Sequence, residues 1–425
     1  MPPYRIKLPE WLDKAYTEPH IGLVLRQLAE RESRRDRIRS TSQRQTRTPS
    51  PNSSPEPSSP NSLQHPIPQA HRDHYSIAIA NHEHNLPRNR YYDVLPYDRT
   101  RVVIDGRNGV GRYLNANWVL ERFGHKWWIA AQAPLPTTAH TFLTLILQPL
   151  SKPSGTVPSL PTSQEEAGYE TSRIRTVVQL TRNVESGRTK AHAYFPSRVG
   201  TSLIIPPDPG SPAPALKITL LQMHNHKDAQ CTRSTIAITP IDPTSNTGGS
   251  AAMRTSEDEE DSYGIEEHHD RRVVFQHLLY TAWPDHGVPE AEDRASLAAF
   301  LKLADQVNRD EPLCSYPSML PSASAKQYDP DPPVIVGCSA GIGRTGSFIA
   351  LSSLLRHCGF LPPAANPVLA SVIPPSPLGP LPSDLVGDFV VEEIDSLREQ
   401  RPRMVERPEQ TLLVYELLIN AFRAA

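Results

Sequence analysis

Cys338 and Arg344 stand either side of a five-residue loop, Ser339-Ala340-Gly341-Ile342-Gly343. Three β-branched residues, Val334-Ile335-Val336, run toward the cysteine. An apolar helical pattern follows the arginine at Phe348, Leu351, Leu354 and Leu355. This order predicts strand, tight loop, helix. Such a loop turns successive backbone N–H groups inward as an anion nest, and the helix N-terminus adds the positive end of its dipole. Gly341 and Gly343 permit positive φ and close backbone approach. Arg344 can fork two N–H donors onto two phosphate oxygens. Cys338, at the base of the cradle, is favoured as thiolate and becomes a nucleophile. A nucleotide P-loop needs Gly-Lys-Ser/Thr, and Gly343-Arg344-Thr345 lacks the lysine.

The full string Cys338-Ser339-Ala340-Gly341-Ile342-Gly343-Arg344-Thr345-Gly346 resembles the signature of the classical protein tyrosine phosphatases, of the non-receptor, fungal-like kind. In Asn89-Arg90-Tyr91-Tyr92-Asp93 the chain is similar to their phosphotyrosine-recognition loop. The resemblance implies that Tyr91 stacks on the substrate ring and that Asp93 accepts bonds from the substrate backbone. An aromatic wall makes a deep pocket, which phosphotyrosine spans and phosphoserine does not. Glu185-Ser186-Gly187-Arg188-Thr189-Lys190 resembles the family's acidic loop, with Lys190 reaching a mobile acid loop. Trp283-Pro284-Asp285 with Gly287 resembles that acid loop. A tyrosine oxygen leaves poorly as an anion, so an acid must protonate it. By resemblance Asp285 is this acid and later the base that activates water. Gln410 or Glu406 would place the water, and Thr345 would hydrogen-bond the cysteine sulfur. This chemistry calls for no metal or cofactor.

Two departures bear on the chemistry. Gly337 stands where the family has a histidine before the nucleophile. Glu406 stands where the family's water-placing loop has its first glutamine, the second falling on Gln410. A carboxylate there would sit near an anionic phosphocysteine, which predicts slower breakdown of the intermediate.

These residues need a scaffold. The fold class expected is α/β: one phosphatase-like domain over residues 72–425, a twisted mixed sheet flanked by helices. Strands are expected at Thr176 to Leu180, Val273 to Leu278 and Val334 to Cys338, and helices at 291–306, around Val390-Ile394-Leu397, and from Leu412 to Phe422. Stretches 151–171, 246–270, 307–332 and 361–384 are polar, acidic or proline-rich and read as disordered inserts, which loop-closure entropy tolerates. Residues 1–71 read as a tail. Ile21, Leu25 and Leu28 suggest a short solvated helix, and eight arginines face three acids between Leu25 and Arg47. The Ser/Pro-rich segment beyond it carries Thr48, Ser50, Ser54 and Ser59 before prolines, which are candidate sites for a proline-directed kinase.

The 45 prolines are about twice the usual share and point to linkers. A net charge of −2 gives no electrostatic case for nucleic acid or membrane. The four cysteines show no disulfide or metal spacing, and no apolar run reaches the roughly 20 residues of a membrane span. The reading is therefore a cytoplasmic enzyme, with the nucleus open, acting on phosphotyrosine proteins through a phosphocysteine. Its rivals are a phosphotyrosine-binding module with impaired turnover and a dual-specificity phosphatase.

Overall fold

The computed structural model describes residues 8–46, 67–107, 110–149, 173–241, 272–285, 287–310 and 329–425. In chain order the strands are β1 (Ile104–Arg107), β2 (Val110–Arg112), β3 (Ala116–Leu120), β4 (Trp127–Gln132), β5 (Thr176–Gln179), β6 (Val184–Glu185), β7 (Arg188–Thr189), β8 (Ser202–Ile205), β9 (Ala215–His226), β10 (Cys231–Ile241), β11 (Val273–Tyr280) and β12 (Val334–Cys338). The helices are α1 (Glu10–Ala15), α2 (Glu18–Thr46), α3 (Gln69–His74), α4 (Ala139–Leu147), α5 (Arg294–Arg309), α6 (Gly343–His357), α7 (Phe389–Gln400) and α8 (Pro408–Ala424).

Eight strands form one mixed sheet in the order β3-β4-β12-β5-β11-β10-β9-β8. The pairs β4–β12, β12–β5 and β5–β11 are parallel, and the others are antiparallel. Strand β12, which ends at Cys338, therefore lies between parallel neighbours, which explains its unbroken β-branched run: both its faces are covered. Ile335 packs with Phe142, Ile146, Ile129 and Val177 under α4. Val334 and Val336 pack with Phe300, Phe348, Leu351, Val390 and Leu413 from α5 to α8. The expected α/β architecture is what the chain forms.

Three expectations need correction. The helix expected around Ile21–Leu28 is neither short nor solvated: it is α2, 29 residues long, and α1 precedes it. Leu12, Ala15, Val24 and Leu28 share the core of α5–α8, and Trp11 meets Phe389 with ring centroids 4.7 Å apart. Arg31, Arg35 and Arg39 recur every fourth residue and so share one face of α2. That face is buried against α7, where Asp395 and Glu399 are also four apart. Arg35 Nη2 donates to Asp395 at 2.5 Å and to Glu399 at 2.6 Å, and Arg31 Nε donates to Asp395 at 2.9 Å.

Residues 361–384 form an ordered strap. Leu378 is buried with Ile38, Tyr75 and Tyr97, the Gly379 carbonyl accepts from Arg31, and Ser376 Oγ donates to Glu399 at 2.8 Å. Proline suits such a strap because it fixes φ and has no N–H to satisfy. The insert expected at 307–332 is ordered at both ends: α5 continues to Arg309, and buried Asn308 donates to Asp331 and to the Pro332 carbonyl, both at 2.8 Å. The inserts at 246–270 and 151–171, and the Ser/Thr-Pro steps at Thr48, Ser50, Ser54 and Ser59, lie outside the described residues. Among the described residues no helix is long and apolar enough to cross a membrane.

Candidate active site

β12 ends at Cys338 and α6 begins at Gly343, so the loop between them sits at a strand C-terminus and a helix N-terminus. Gly341 has φ +72°, and a Cβ there would lie 2.2 Å from the Ala131 carbonyl oxygen, so only glycine fits. Its N–H donates to Cys338 Sγ at 3.3 Å. Cys338 is buried at the floor of a cavity of about 270 Å³. The walls of that cavity include Tyr91, Asp93, Lys190, Asp285, Arg344, Glu406 and Gln410, together with Ser339, Ala340, Ile342 and Gly343. All the residues read from the sequence as chemical converge there except Thr345 and the buried turn at Gly341. The Thr345 hydroxyl is buried without a hydrogen-bond partner, and the bond to Sγ expected of it belongs to the breakdown of the intermediate.

Arg344 is already engaged. Nη1 donates to Glu185 Oε1 at 2.8 Å and to the Leu180 carbonyl at 2.9 Å. Nη2 donates to Glu185 Oε2 at 2.9 Å and to the Pro284 carbonyl at 2.7 Å. The fork therefore grips a carboxylate, and its link to Pro284 ties the acid loop across the cavity. Lys190 Nζ lies 2.7 Å from Asp285 Oδ1. This hydrogen bond holds the Asp285 carboxyl down at about 2. Trp283 is buried and its indole N–H donates to the Gly287 carbonyl at 3.3 Å, bracing the loop from beneath.

Ser339 Oγ donates to the Lys190 carbonyl at 2.8 Å, so the Tyr91 hydroxyl, 2.8 Å away, donates to Ser339 Oγ. One chain of bonds thus links the recognition loop, the cysteine loop and the acidic loop. Asp93 does not stand open: Arg403 Nη1 donates to its Oδ2 at 2.8 Å, and Arg403 Nη2 donates to Glu406 at 2.6 Å. Gln410 comes close to the cysteine loop. A Cβ placed on Gly343 would lie 2.8 Å from Gln410 Nε2. Its Oε1 also accepts from the Arg407 N–H at 3.1 Å. Of the two candidates to place water, Gln410 is therefore the one seated against the loop.

Two further residues support this site. Glu185, read from the sequence only as the start of the acidic loop, is the partner of Arg344. Arg401, fully buried at the end of α7, donates to the Gly341 carbonyl at 2.7 Å and the Ala340 carbonyl at 3.0 Å, and to Asn117 and Asn115 at 2.8 and 2.9 Å. Turning these carbonyls outward leaves the loop N–H groups facing in. Burial lowers Arg401 to about 10, so it stays charged at neutral pH. The available signal was Asn115 and Asn117, two polar residues at strand period on a buried face. Among the described residues no group of three or more His, Cys, Asp or Glu is arranged to hold a metal ion.

A glycine-rich Cys-to-Arg cradle at a strand–helix junction, faced by an aspartate loop and an aromatic wall, defines a cysteine-phosphatase type of site. The protein-tyrosine phosphatase family model matches residues 85–165 and 169–360, more than half of the chain, and the chain belongs to that family. It is 27% identical over 288 residues to receptor-type tyrosine-protein phosphatase eta of Gallus gallus, covering 68% of this chain and 15% of that protein. It is 27% identical over 342 residues to tyrosine-protein phosphatase 1 of Caenorhabditis elegans, covering 80% of this chain and 23% of that one. The chain thus spans less than a quarter of the length of either relative. The solved catalytic domain of human protein tyrosine phosphatase non-receptor type 18 aligns with a TM-score of 0.49 at 21% identity, over 82% of this chain and 88% of that one.

Proposed function

We propose that the chain hydrolyses phosphotyrosine in proteins through a phosphocysteine intermediate. The observation that carries this reading is the convergence of Cys338, Arg344, Asp285, Tyr91 and Gln410 on one cavity. In the first step Cys338 Sγ bonds to phosphorus in line with the leaving phenol oxygen. The P–O bond breaks and Asp285 delivers its proton to that oxygen. The loop N–H groups and Arg344 hold the equatorial oxygens, for which Arg344 must exchange an Nη contact to Glu185 or Pro284 for phosphate. Asp285 must also gain a proton that its bond to Lys190 opposes. A phosphate dianion beside the carboxyl supplies the drive, since like charge disfavours ionisation. In the second step water placed by Gln410 attacks phosphorus, Asp285 takes its proton, and Sγ leaves.

Tyr91, anchored through Ser339, supports a tyrosine-depth pocket over a dual-specificity one. By the same reading the enzyme is cytoplasmic and works in signalling, and Thr48, Ser50, Ser54 and Ser59 are targets of a proline-directed kinase.

The test is turnover of a phosphotyrosine peptide and its phosphothreonine counterpart, without added metal, by wild type and Cys338→Ser. Steady turnover of the first alone, abolished in the variant, is expected. Comparable rates on both peptides would make it a dual-specificity enzyme. Tight binding of phosphopeptide by folded protein without turnover would make it a binding module.

A further inference from the structure

The segment Arg403-Met404-Val405 has two residues in left-handed backbone conformations, Arg403 at φ 59° and Val405 at φ 55°. A β-branched residue there is a costly outlier, so the surrounding structure must impose it. Buried Arg398 does so. Its Nε donates to the Met404 carbonyl at 2.8 Å and its Nη2 to the Val405 carbonyl at 2.7 Å, while Nη1 is anchored on the Leu28 carbonyl of α2 at 2.8 Å. The turn has a directional result. It sends the Arg403 side chain to the cavity wall, where its two Nη atoms engage Asp93 and Glu406.

A carboxylate at position 406 works against the second step. It lines the same cavity as Cys338, and the intermediate on that sulfur is a phosphoryl dianion awaiting attack by water that gives its proton to a further carboxylate, Asp285. A bare charge on the wall would repel the dianion and disfavour a second ionised carboxyl. A guanidinium at 2.6 Å, shared with Asp93, offsets that charge and pins the carboxylate.

We infer that Arg403 is a positioning residue for hydrolysis of the phosphocysteine: it neutralises Glu406 and holds it aside, leaving Gln410 to place the water. The inference rests on the phosphatase reading above. In the step it serves, water oxygen bonds to phosphorus and the P–S bond breaks with its electron pair on Sγ. The water proton passes to Asp285, and no further reactant is required. The Arg403–Glu406 pair is then a joint replacement for the glutamine that resemblance leads one to expect.

The experiment is rapid mixing with an aryl phosphate, which lacks the peptide backbone that Asp93 would bind and so isolates the Glu406 effect. Wild type, Cys338→Ser, Arg403→Ala, Arg403→Lys, Glu406→Gln and the double variant Arg403→Ala/Glu406→Gln are compared. Arg403→Ala is expected to release a stoichiometric burst of phenol near the wild-type rate, then to cycle about tenfold more slowly, the scale of one uncompensated charge in a partly solvated site. Arg403→Lys retains most of the steady rate. In the Glu406→Gln background, loss of Arg403 changes the steady rate by less than about threefold, roughly 0.6 kcal/mol in barrier. Equal losses in both backgrounds, or equal slowing of burst and steady phases, overturn the inference. A wild type no faster than Cys338→Ser removes the phosphatase reading itself. A cycling wild type with no rescue in the double variant removes only the role of Arg403.

Discussion

On the proposed mechanism, Asp285 and Lys190 set the pH behaviour of the site. The hydrogen bond from Lys190 keeps the Asp285 carboxyl at about 2, well under its ordinary value. The first step needs that carboxyl protonated, so activity falls as pH rises through its value in the substrate complex. Removing Lys190 takes away the group that lowers it. Lys190→Ala should therefore move the basic limb of the kcat profile to higher pH, by roughly one unit for each 1.4 kcal/mol of lost interaction. A profile unmoved by the substitution would mean that the pair is not kept in the substrate complex. Gly337 gives a second prediction. A Cβ at this position would lie 2.7 Å from the Ala131 carbonyl oxygen across the β12–β4 pairing. Restoring histidine there should not repair catalysis; overpacking should cost about 1–3 kcal/mol in a denaturant melt. At this scale the sequence was most legible where chemistry is local. Cys338 to Thr345 and Trp283 to Asp285 are short strings whose spacing carries meaning. Arg401 acts on carbonyls some 60 residues away, and Arg403 joins nearby Glu406 to Asp93, 310 residues away; no local pattern marks a residue that turns a distant carbonyl.

Helix α2 shows what periodicity alone leaves out. Its arginines looked like a solvated charge run because a stripe of arginine reads as surface unless a matching acidic stripe is known. That stripe is Asp395 and Glu399, on a helix more than 350 residues later. Burial pushes the Glu399 carboxyl up, but bonds from His74, Arg35 and Ser376 outweigh it and hold the group at about 2. Since this lies below the ordinary unfolded value of about 4.3, the stabilisation is complete above that pH and is lost as pH falls toward 2. Arg35→Met would strand two buried carboxylates. The expected loss is about 3 kcal/mol at pH 7, the low end for a broken buried pair because Arg31 and His74 remain. The same substitution should cost less at pH 3, where Glu399 is already partly protonated in the unfolded chain. Urea midpoints at the two pH values check this, and equal losses would show that the helix is held by packing alone. The strap at 361–384 differs from its composition for a related reason: it reads as a linker, but the Gly379 carbonyl accepts from Arg31 of α2, and Leu378 packs on Ile38 of α2 together with Tyr75 and Tyr97.

Across the whole molecule, the first and last described helices share one core, so the chain closes on itself around the sheet. The strands at Thr176–Gln179, Val273–Tyr280 and Val334–Cys338 were legible because their burial is written in β-branched runs. The closure was not, because it depends on contacts spanning nearly the full length. It also has a chemical consequence. Leu28 of α2 accepts from Arg398, Arg398 imposes the turn at Met404-Val405, and that turn aims Arg403 and precedes Gln410. Deleting residues 1–46 would remove one end of this chain of bonds while leaving Cys338, Arg344, Asp285 and Tyr91 in place. The expected result is a lower unfolding midpoint and a kcat reduced about tenfold or more, as the water-placing segment loses its support. Phosphopeptide affinity, measured on Cys338→Ser with and without the deletion, should change by less than about threefold, under 1 kcal/mol, because the cradle itself is untouched. A deletion that melts early yet turns over at the full rate would confine α2 to stability. A deletion that lowers affinity and kcat together would mean that α2 supports the cradle and not the hydrolytic step.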